Sequence, residues 1–324
     1  MSSFTNQLFD EHKDKGIIRK PTFHSSFIQH WYSQNWTPDR WEKEFNMLKN
    51  IGIYEIIIQT TADTKVKYAV YFTRLPGFTH ANIDMVETAL TAADKLGIEV
   101  RIGLGFSEDW WTKFFRKSWL NKEACLNKAI IKEIAQKFGH HPSFSGWYIP
   151  HEFSQFTVLT KKQQKRLNYF FKSMASEIKL RLAKDIMIAP FYHGKHKWVI
   201  TPKAWSNALK NILMRTGIDI VALQDSIGTG FSTMKQLPEI FSQTKKSLNE
   251  LGIKFYVDVE TFESARKSLV SASQQRIEKQ LSIAQCYAEG FVAFSICHYQ
   301  NKNEPVQAQL YNDYYDYYKS AHFN

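Results

Sequence analysis

The chain predicts an α/β fold, a single closed barrel of eight parallel strands ringed by helices, and three observations predict it. Short β-branched and aromatic runs alternate with amphipathic stretches eight times along 324 residues, and strictly alternating β and α elements pair their strands in parallel. A Gly-Ile pair, at 52–53, 97–98, 217–218 and 252–253, repeatedly marks the passage from helix to strand. There the glycine closes the helix and the strand starts at once. The opposite connections, from strand to helix, are long, and (β/α)8 barrels carry their active sites on that face. Eight units of roughly 40 residues fit a closed TIM barrel better than an open doubly wound sheet.

The elements follow in order. Residues 1–20 are polar and charged and read as an N-terminal arm, leaving 21–324 for the barrel. The alternating Phe23 to Trp31 run is the first strand. Thr37-Pro38 then starts a helix over 39–50, with Thr37 as N-cap and Pro38 at the first helical position. Strands are expected over 53–59, 98–105, 144–149, 186–191, 218–224, 253–259 and 291–297. Helices are expected over 83–96, 122–137, 161–182, 202–215, 233–251, 273–288 and 306–318. Gly139 and Gly290 close two further helices.

Composition bounds the function. The hydrophobic fraction is 44% and the charged fraction 23%, enough for a large core and without disordered or fibrous bias. No apolar run reaches the ~18 residues of a membrane span. No basic segment followed by an apolar one opens the sequence, so as written the chain reads as cytoplasmic, or as exported if a signal peptide has been removed. Cys125, Cys286 and Cys297 lack the spacing of a disulfide framework or a zinc site. The net charge of +11 is spread over helix faces, which solvated lysines explain. An anionic polysaccharide is the sharper alternative, and no nucleic-acid motif is present. No GxGxxG, Walker A or GxSxG sequence follows any strand, so neither a nucleotide nor a serine-hydrolase elbow is expected. No metal and no cofactor are implied.

The chemistry concentrates at strand ends. Trp147-Tyr148-Ile149-Pro150-His151-Glu152 is a buried-strand pattern that stops at a proline, which cannot donate to a sheet, and a carboxylate follows. Phe255-Tyr256-Val257-Asp258-Val259-Glu260 ends on a second glutamate. Alternation turns Phe255, Val257 and Val259 towards the helices, and Tyr256, Asp258 and Glu260 into the barrel and its mouth. Glu152 and Glu260 therefore overhang one face. Two carboxylates so placed are what cleavage of a glycosidic bond needs: one protonates the leaving oxygen, and the other attacks the anomeric carbon or activates water. Capping a helix or pairing with a base is the bland alternative for either alone.

Around them, Gln29, Gln59, Gln224 and Asp225 end the first, second and sixth strands. Uncharged amides there suit hydroxyl recognition, while Asp225 also fits a turn. Trp31, Trp110 and Trp111 are candidate stacking platforms, Trp110 and Trp111 the better pair. Tyr192 and His193, and His298 and Tyr299, are weaker substrate-contact candidates, and Asp258 and His151 complete the set. Lower in the barrel, Glu55 and Arg101 have inward parity on neighbouring strands and are expected to pair.

Taken together, five stretches resemble an uncharacterised bacterial family of glycoside-hydrolase-like TIM barrels, a domain of unknown function. They are Ser26-Phe27-Ile28-Gln29 through Trp41-Glu42; Gly103-Leu104-Gly105-Phe106-Ser107 with Trp110-Trp111; Gly146-Trp147-Tyr148-Ile149-Pro150-His151-Glu152; Gly217 to Asp225; and Asp258-Val259-Glu260-Thr261-Phe262-Glu263. The resemblance runs from about residue 22 to the last helix. It implies the fold and, by kinship with the large retaining clan of such barrels, an acid/base at Glu152 and a nucleophile at Glu260. That clan carries Asn before the acid/base, and His151 stands there instead. The expected function is hydrolysis of a polysaccharide or oligosaccharide. The alternative is a carbohydrate-binding barrel without turnover.

Overall fold

A computed structural model describes residues 20–265 and 268–322. The expected arm lies, apart from Lys20, outside the described residues. Eight strands close a parallel barrel: β1 (Ser25–Ile28), β2 (Glu55–Ile58), β3 (Glu99–Gly103), β4 (Phe144–Ile149), β5 (Asp185–Ile188), β6 (Ile220–Gln224), β7 (Lys254–Glu260) and β8 (Gly290–Phe294). Neighbours in space are neighbours in sequence, and β8 closes on β1 through Ser25↔Val292 and Ser26↔Ala293. Helices α1 (Pro38–Lys49), α2 (Met85–Leu96), α3 (Lys117–Phe138), α4 (Lys161–Arg181), α5 (Pro202–Leu213), α6 (Leu237–Asn249), α7 (Gln274–Ala284) and α8 (Ala308–His322) form the outer layer.

Local chemistry sets the helix ends. Thr37 accepts from the Arg40 N–H and Pro38 occupies the first turn of α1, while Asp84, Thr160, Thr201 and Ser273 cap α2, α4, α5 and α7 in the same way. Each such cap is worth about 1 kcal/mol. The four Gly-Ile turns have their glycines at φ between +65° and +86°, a region closed to most side chains. Gly139 also ends its helix, but at φ −61°, so it is not a left-handed cap.

Strand alternation sorts the core into two layers. Phe255, Val257 and Val259 join the large cluster between barrel and helices. Phe27, Ile57, Tyr148, Met187, Ala189, Ile220, Ala222 and Val292 fill the barrel interior, with Tyr256 and Phe294 packed against them. Below this plug Arg101 reaches Glu55 through Nε at 3.0 Å and through its terminal nitrogen at 2.9 Å, and it also donates to the Asp185 carbonyl. The pair expected from parity is therefore formed, and both partners are buried.

At the carboxyl end two additions raise the rim. Ala62–Asp63, Tyr68–Ala69, Thr79–His80 and Gly105–Phe106 form a small four-stranded sheet above β2 and β3. Phe262–Ala265 and Ser268–Ser271 pair antiparallel after β7.

Candidate active site

Four carboxyl groups gather where β4, β6 and β7 end. Asp258 and Glu260 leave β7 on the interior face, and Asp225 follows β6, its N–H donating to the Asp258 carbonyl at 2.9 Å. Glu152 stands three residues beyond β4, half-buried, whereas Asp225, Asp258 and Glu260 are buried. Removing a carboxylate from water favours its neutral form, and all four respond. Glu152 is pushed up to about 7 by burial, against a hydrogen bond from the Gln224 side chain. Glu260 is pushed up to about 8, first by burial and then by the charge of Asp225. Asp225 rises to about 6, also by burial. Asp258 goes well above the carboxylate range through burial and the fields of Asp225, Glu260 and Glu152, and its Oδ1 has no hydrogen-bond partner among the described residues.

Each member is held differently. Glu260 Oε2 accepts from the Thr229 N–H at 2.7 Å, and the Thr229 hydroxyl lies 3.2–3.3 Å from both carboxylate oxygens. The loop can come this close because residue 228 is glycine. A Cβ there would sit 2.1 Å from the Phe262 carbonyl and 3.1 Å from Glu260 Oε2. Asp225 Oδ2 accepts from Gln280 Nε2 at 2.5 Å, and Oδ1 accepts from the Ile227 N–H. Arg276, one turn earlier on α7, donates to the carbonyls of Glu260 and Phe262 at 3.0 and 2.5 Å and pairs with Glu263. Residues 276 and 280 share a helix face, so α7 braces the end of β7 from outside.

The remaining expected contact residues divide. Gln29 and Gln59 join their side chains at 2.9 Å on the rim above β1 and β2. Gln224 is half-buried and donates to the Ala189 carbonyl. Trp31 and Trp111 are exposed, and Tyr299 is half-buried against Phe262. His298 accepts the Gln29 N–H at 3.2 Å through Nε2. Burial lowers it to about 4, so it is neutral and does not act as an acid–base group near pH 7.

Three expectations are corrected. Trp110 is buried, packing on Phe170 and donating its indole N–H to the Glu152 carbonyl at 2.6 Å. It holds the chain at Glu152 and offers no face to a sugar. His151 is buried too. Its ring packs on Trp110, Phe106 and Phe170, and its Nε2 lies 3.3 Å from Glu123 of α3. Tyr192 is buried against Trp205 with its hydroxyl on the Ile200 carbonyl.

Thr229, Arg276, Gln280 and Glu123 were not singled out by sequence. For Gln280 a signal existed: it falls on the apolar face of α7 with Ile277, Leu281 and Ala284, where a polar residue needs a partner. Glu123 and Asn127 repeat the pattern on α3. Thr64 donates to Glu123, and the Gly105 N–H donates to Asn127. Thr229 had no comparable signal.

A concavity of about 330 Å³ lies at the opposite end of the barrel, between the Gly217-Ile218 and Gly252-Ile253 turns. It contains none of the four carboxyls. Among the described residues no group of three or more His, Cys, Asp or Glu could hold a metal ion, and no helix is long and apolar enough to cross a membrane.

Fold and rim thus define a closed (β/α)8 barrel with acidic residues at the carboxyl ends of its strands. The chain belongs to the family described as domain of unknown function (DUF4434), whose model matches residues 22–309. No curated protein matches it. Among solved structures it is similar to a "putative alpha-L-fucosidase" from Bacteroides thetaiotaomicron, with TM-score 0.77 and 21% identity over 96% of this chain and 97% of that one. The GH99 endo-alpha-mannosidase of the same organism aligns at TM-score 0.53 and 12% identity, covering 90% and 82%. The endo-1,4-beta-mannanase of Rhizomucor miehei aligns at 0.58 and 9%, covering 92% and 95%. At these identities the likeness is one of fold.

Proposed function

We propose that the protein is a glycoside hydrolase acting on a polysaccharide or oligosaccharide with retention, with Glu152 as general acid/base and Glu260 as nucleophile. The observation that carries this reading is the pair of glutamates on one rim, both with proton affinities raised towards neutrality by burial. A general acid works best when its pKa lies near the working pH, and Glu152 at about 7 meets that condition.

In the reaction, the Glu152 carboxyl gives its proton to the glycosidic oxygen as the bond to the anomeric carbon breaks. The Glu260 carboxylate attacks that carbon and forms a glycosyl ester. Glu152, now ionised, takes a proton from water, whose oxygen displaces Glu260 and releases the sugar. Glu260 must be ionised to attack, and the two Thr229 donors and the field of Arg276 favour that form. Burial and the neighbouring carboxylates favour the neutral form of Asp258, which limits the negative charge beside Glu260. The exposed Trp31 and Trp111 offer stacking faces, and the Gln29–Gln59 pair offers amides to hydroxyls. The names of the fold neighbours, a fucosidase, a mannosidase and a mannanase, support a carbohydrate substrate.

The test is release of reducing ends from a panel of plant, microbial and host glycans, with NMR of the product anomer. Glu152→Gln and Glu260→Gln should each abolish turnover while the circular dichroism spectrum stays native. Turnover at the wild-type rate in either variant removes the role assigned to that residue.

A further inference from the structure

Next to Glu260, the loops after β4, β5 and β6 build a rim that no catalytic step uses. Phe156, Trp198 and Phe231 are exposed there, at 41%, 78% and 36%. Two imidazoles join them. His193 stacks on Phe231 with centroids 4.2 Å apart and planes 15° apart, and His196 lies 4.1 Å from His193. Phe156 and Trp198 flank His196 at 5.8 and 5.9 Å. A contiguous run of wet aromatic faces is characteristic of a binding surface. Nδ1 of both His193 and His196 is buried without a hydrogen-bond partner among the described residues, and buried polar atoms normally have one.

The same loop is basic. His193-Gly194-Lys195-His196-Lys197 contains no acid. Lys195 and Lys197 are exposed, and neither forms an ion pair among the described residues. The position of Lys195 is built in: its N–H donates to the Phe231 carbonyl at 2.9 Å, and a Cβ on Gly230 would lie 3.9 Å from its ammonium. Gly230 directly follows Thr229, which holds Glu260. Burial, and after it the charges of His196 and Lys195, lowers the proton affinity of His193.

We propose that this rim is a subsite for a sugar ring bearing an acidic group, a uronate carboxylate or a sulfate ester. Phe231 and Trp198 supply the stacking surface, and Lys195, beside the His193–His196 pair, receives the anion. The inference rests on the glycosidase reading for its place beside Glu260, but binding and turnover test the two separately. The exposed Lys195 ammonium makes a charge-assisted hydrogen bond to such an anion, while the aromatic faces stack on the pyranose ring.

The experiment uses the full chain carrying Glu260→Gln, so that binding is read without hydrolysis. An array of neutral, uronate-bearing and sulfated glycans is probed first, followed by calorimetry on the best acidic glycan and its neutral counterpart of equal length. Preference for uronate or for sulfate identifies which acidic group is taken. The acidic glycan should bind at least about tenfold more tightly, and rising salt should erode the difference through screening. Adding Lys195→Ala should remove the preference, whereas adding Lys254→Ala at the amino end should preserve it. Retention of no acidic glycan, equal affinity for acidic and neutral partners, or a preference that survives Lys195→Ala overturns the subsite. Acidic glycans that bind through Lys195 but are not hydrolysed by the wild-type protein leave the subsite standing and remove the hydrolase.

Discussion

Replacing Glu260 by glutamine should stabilise the protein while inactivating it, and only above mildly acidic pH. In the native state this carboxyl keeps its proton up to about 8, whereas its ordinary value is 4.5. Between those values the folded chain binds more protons than the unfolded one, so stability falls as pH rises, and below 4.5 the effect vanishes. At about 1.4 kcal/mol per pH unit the loss approaches ~5 kcal/mol by pH 8.5. Glutamine keeps the shape and an oxygen that can accept from Thr229, but it never ionises. Its amide NH2 needs partners the site was not built to give, at a cost of ~1–3 kcal/mol. A net gain on the order of 2 kcal/mol remains at pH 8.5, or a rise in Tm of about 3 °C for a chain of this size. Scanning calorimetry of both proteins at pH 4.5 and 8.5 measures it. A gain equal at the two pH values, or a lower Tm for the variant at pH 8.5, refutes the claim that Glu260 is held protonated at a cost in stability.

The same proton affinities shape the pH–rate profile. With Glu152 at about 7 and Glu260 at about 8, the active form, protonated on Glu152 and ionised on Glu260, is outnumbered about tenfold by its tautomer. kcat/KM should therefore follow a narrow bell centred between pH 7 and 8, and a plateau extending to pH 5 would contradict it. Thr229→Val removes the hydroxyl donor that favours the ionised form. Glu260 should then titrate higher, kcat/KM at pH 7 should fall about tenfold, and the optimum should move to higher pH; an unmoved optimum argues against this contact. Arg101→Met leaves Glu55 buried without its partner, a loss of about 3–5 kcal/mol by urea unfolding. Adding Glu55→Gln should recover most of it, and failure to recover would mean that Arg101 acts mainly through the Asp185 carbonyl.

The fold was legible because its signals are local and repeated: alternating periods, capping residues and four Gly-Ile turns each require only a few adjacent positions. Parity at Phe255–Glu260 gave the correct facing of every side chain on β7, since extended geometry leaves no choice. The same rule stops working past Pro150, where the chain leaves the sheet, and so His151 was expected in the cleft although its imidazole faces α3. Trp110 and Tyr192 were misjudged for a related reason. A loop position says nothing of depth, and these rings are roofed by Phe170 and Trp205, contributed by distant helices. Of the braces on the carboxyl cluster only Gln280 left a signal, as a polar residue on an apolar helix face, because the contacts of Thr229 and Arg276 with β7 depend on how two loops fold back over its end. Of the His193–Trp198 rim only His193 stands out in sequence, and weakly, because the aromatic partners Phe156 and Phe231 arrive from two other connections.

The tie between His151 and Glu123 has a mechanical consequence. Glu123 lies on α3 among Thr64, Asn127 and the imidazole, so the peptide preceding Glu152 is anchored to the outer shell. The small sheet above β2 and β3 is moored to the same helix through Gly105 and Asn127. Adjacent turns of α3 thus hold both the cleft wall, through Thr64 and Gly105, and the residue before the acid, through His151. A substitution that shifts this helix by a fraction of an ångström therefore moves both together, and the aim of the proton donor towards that wall is preserved.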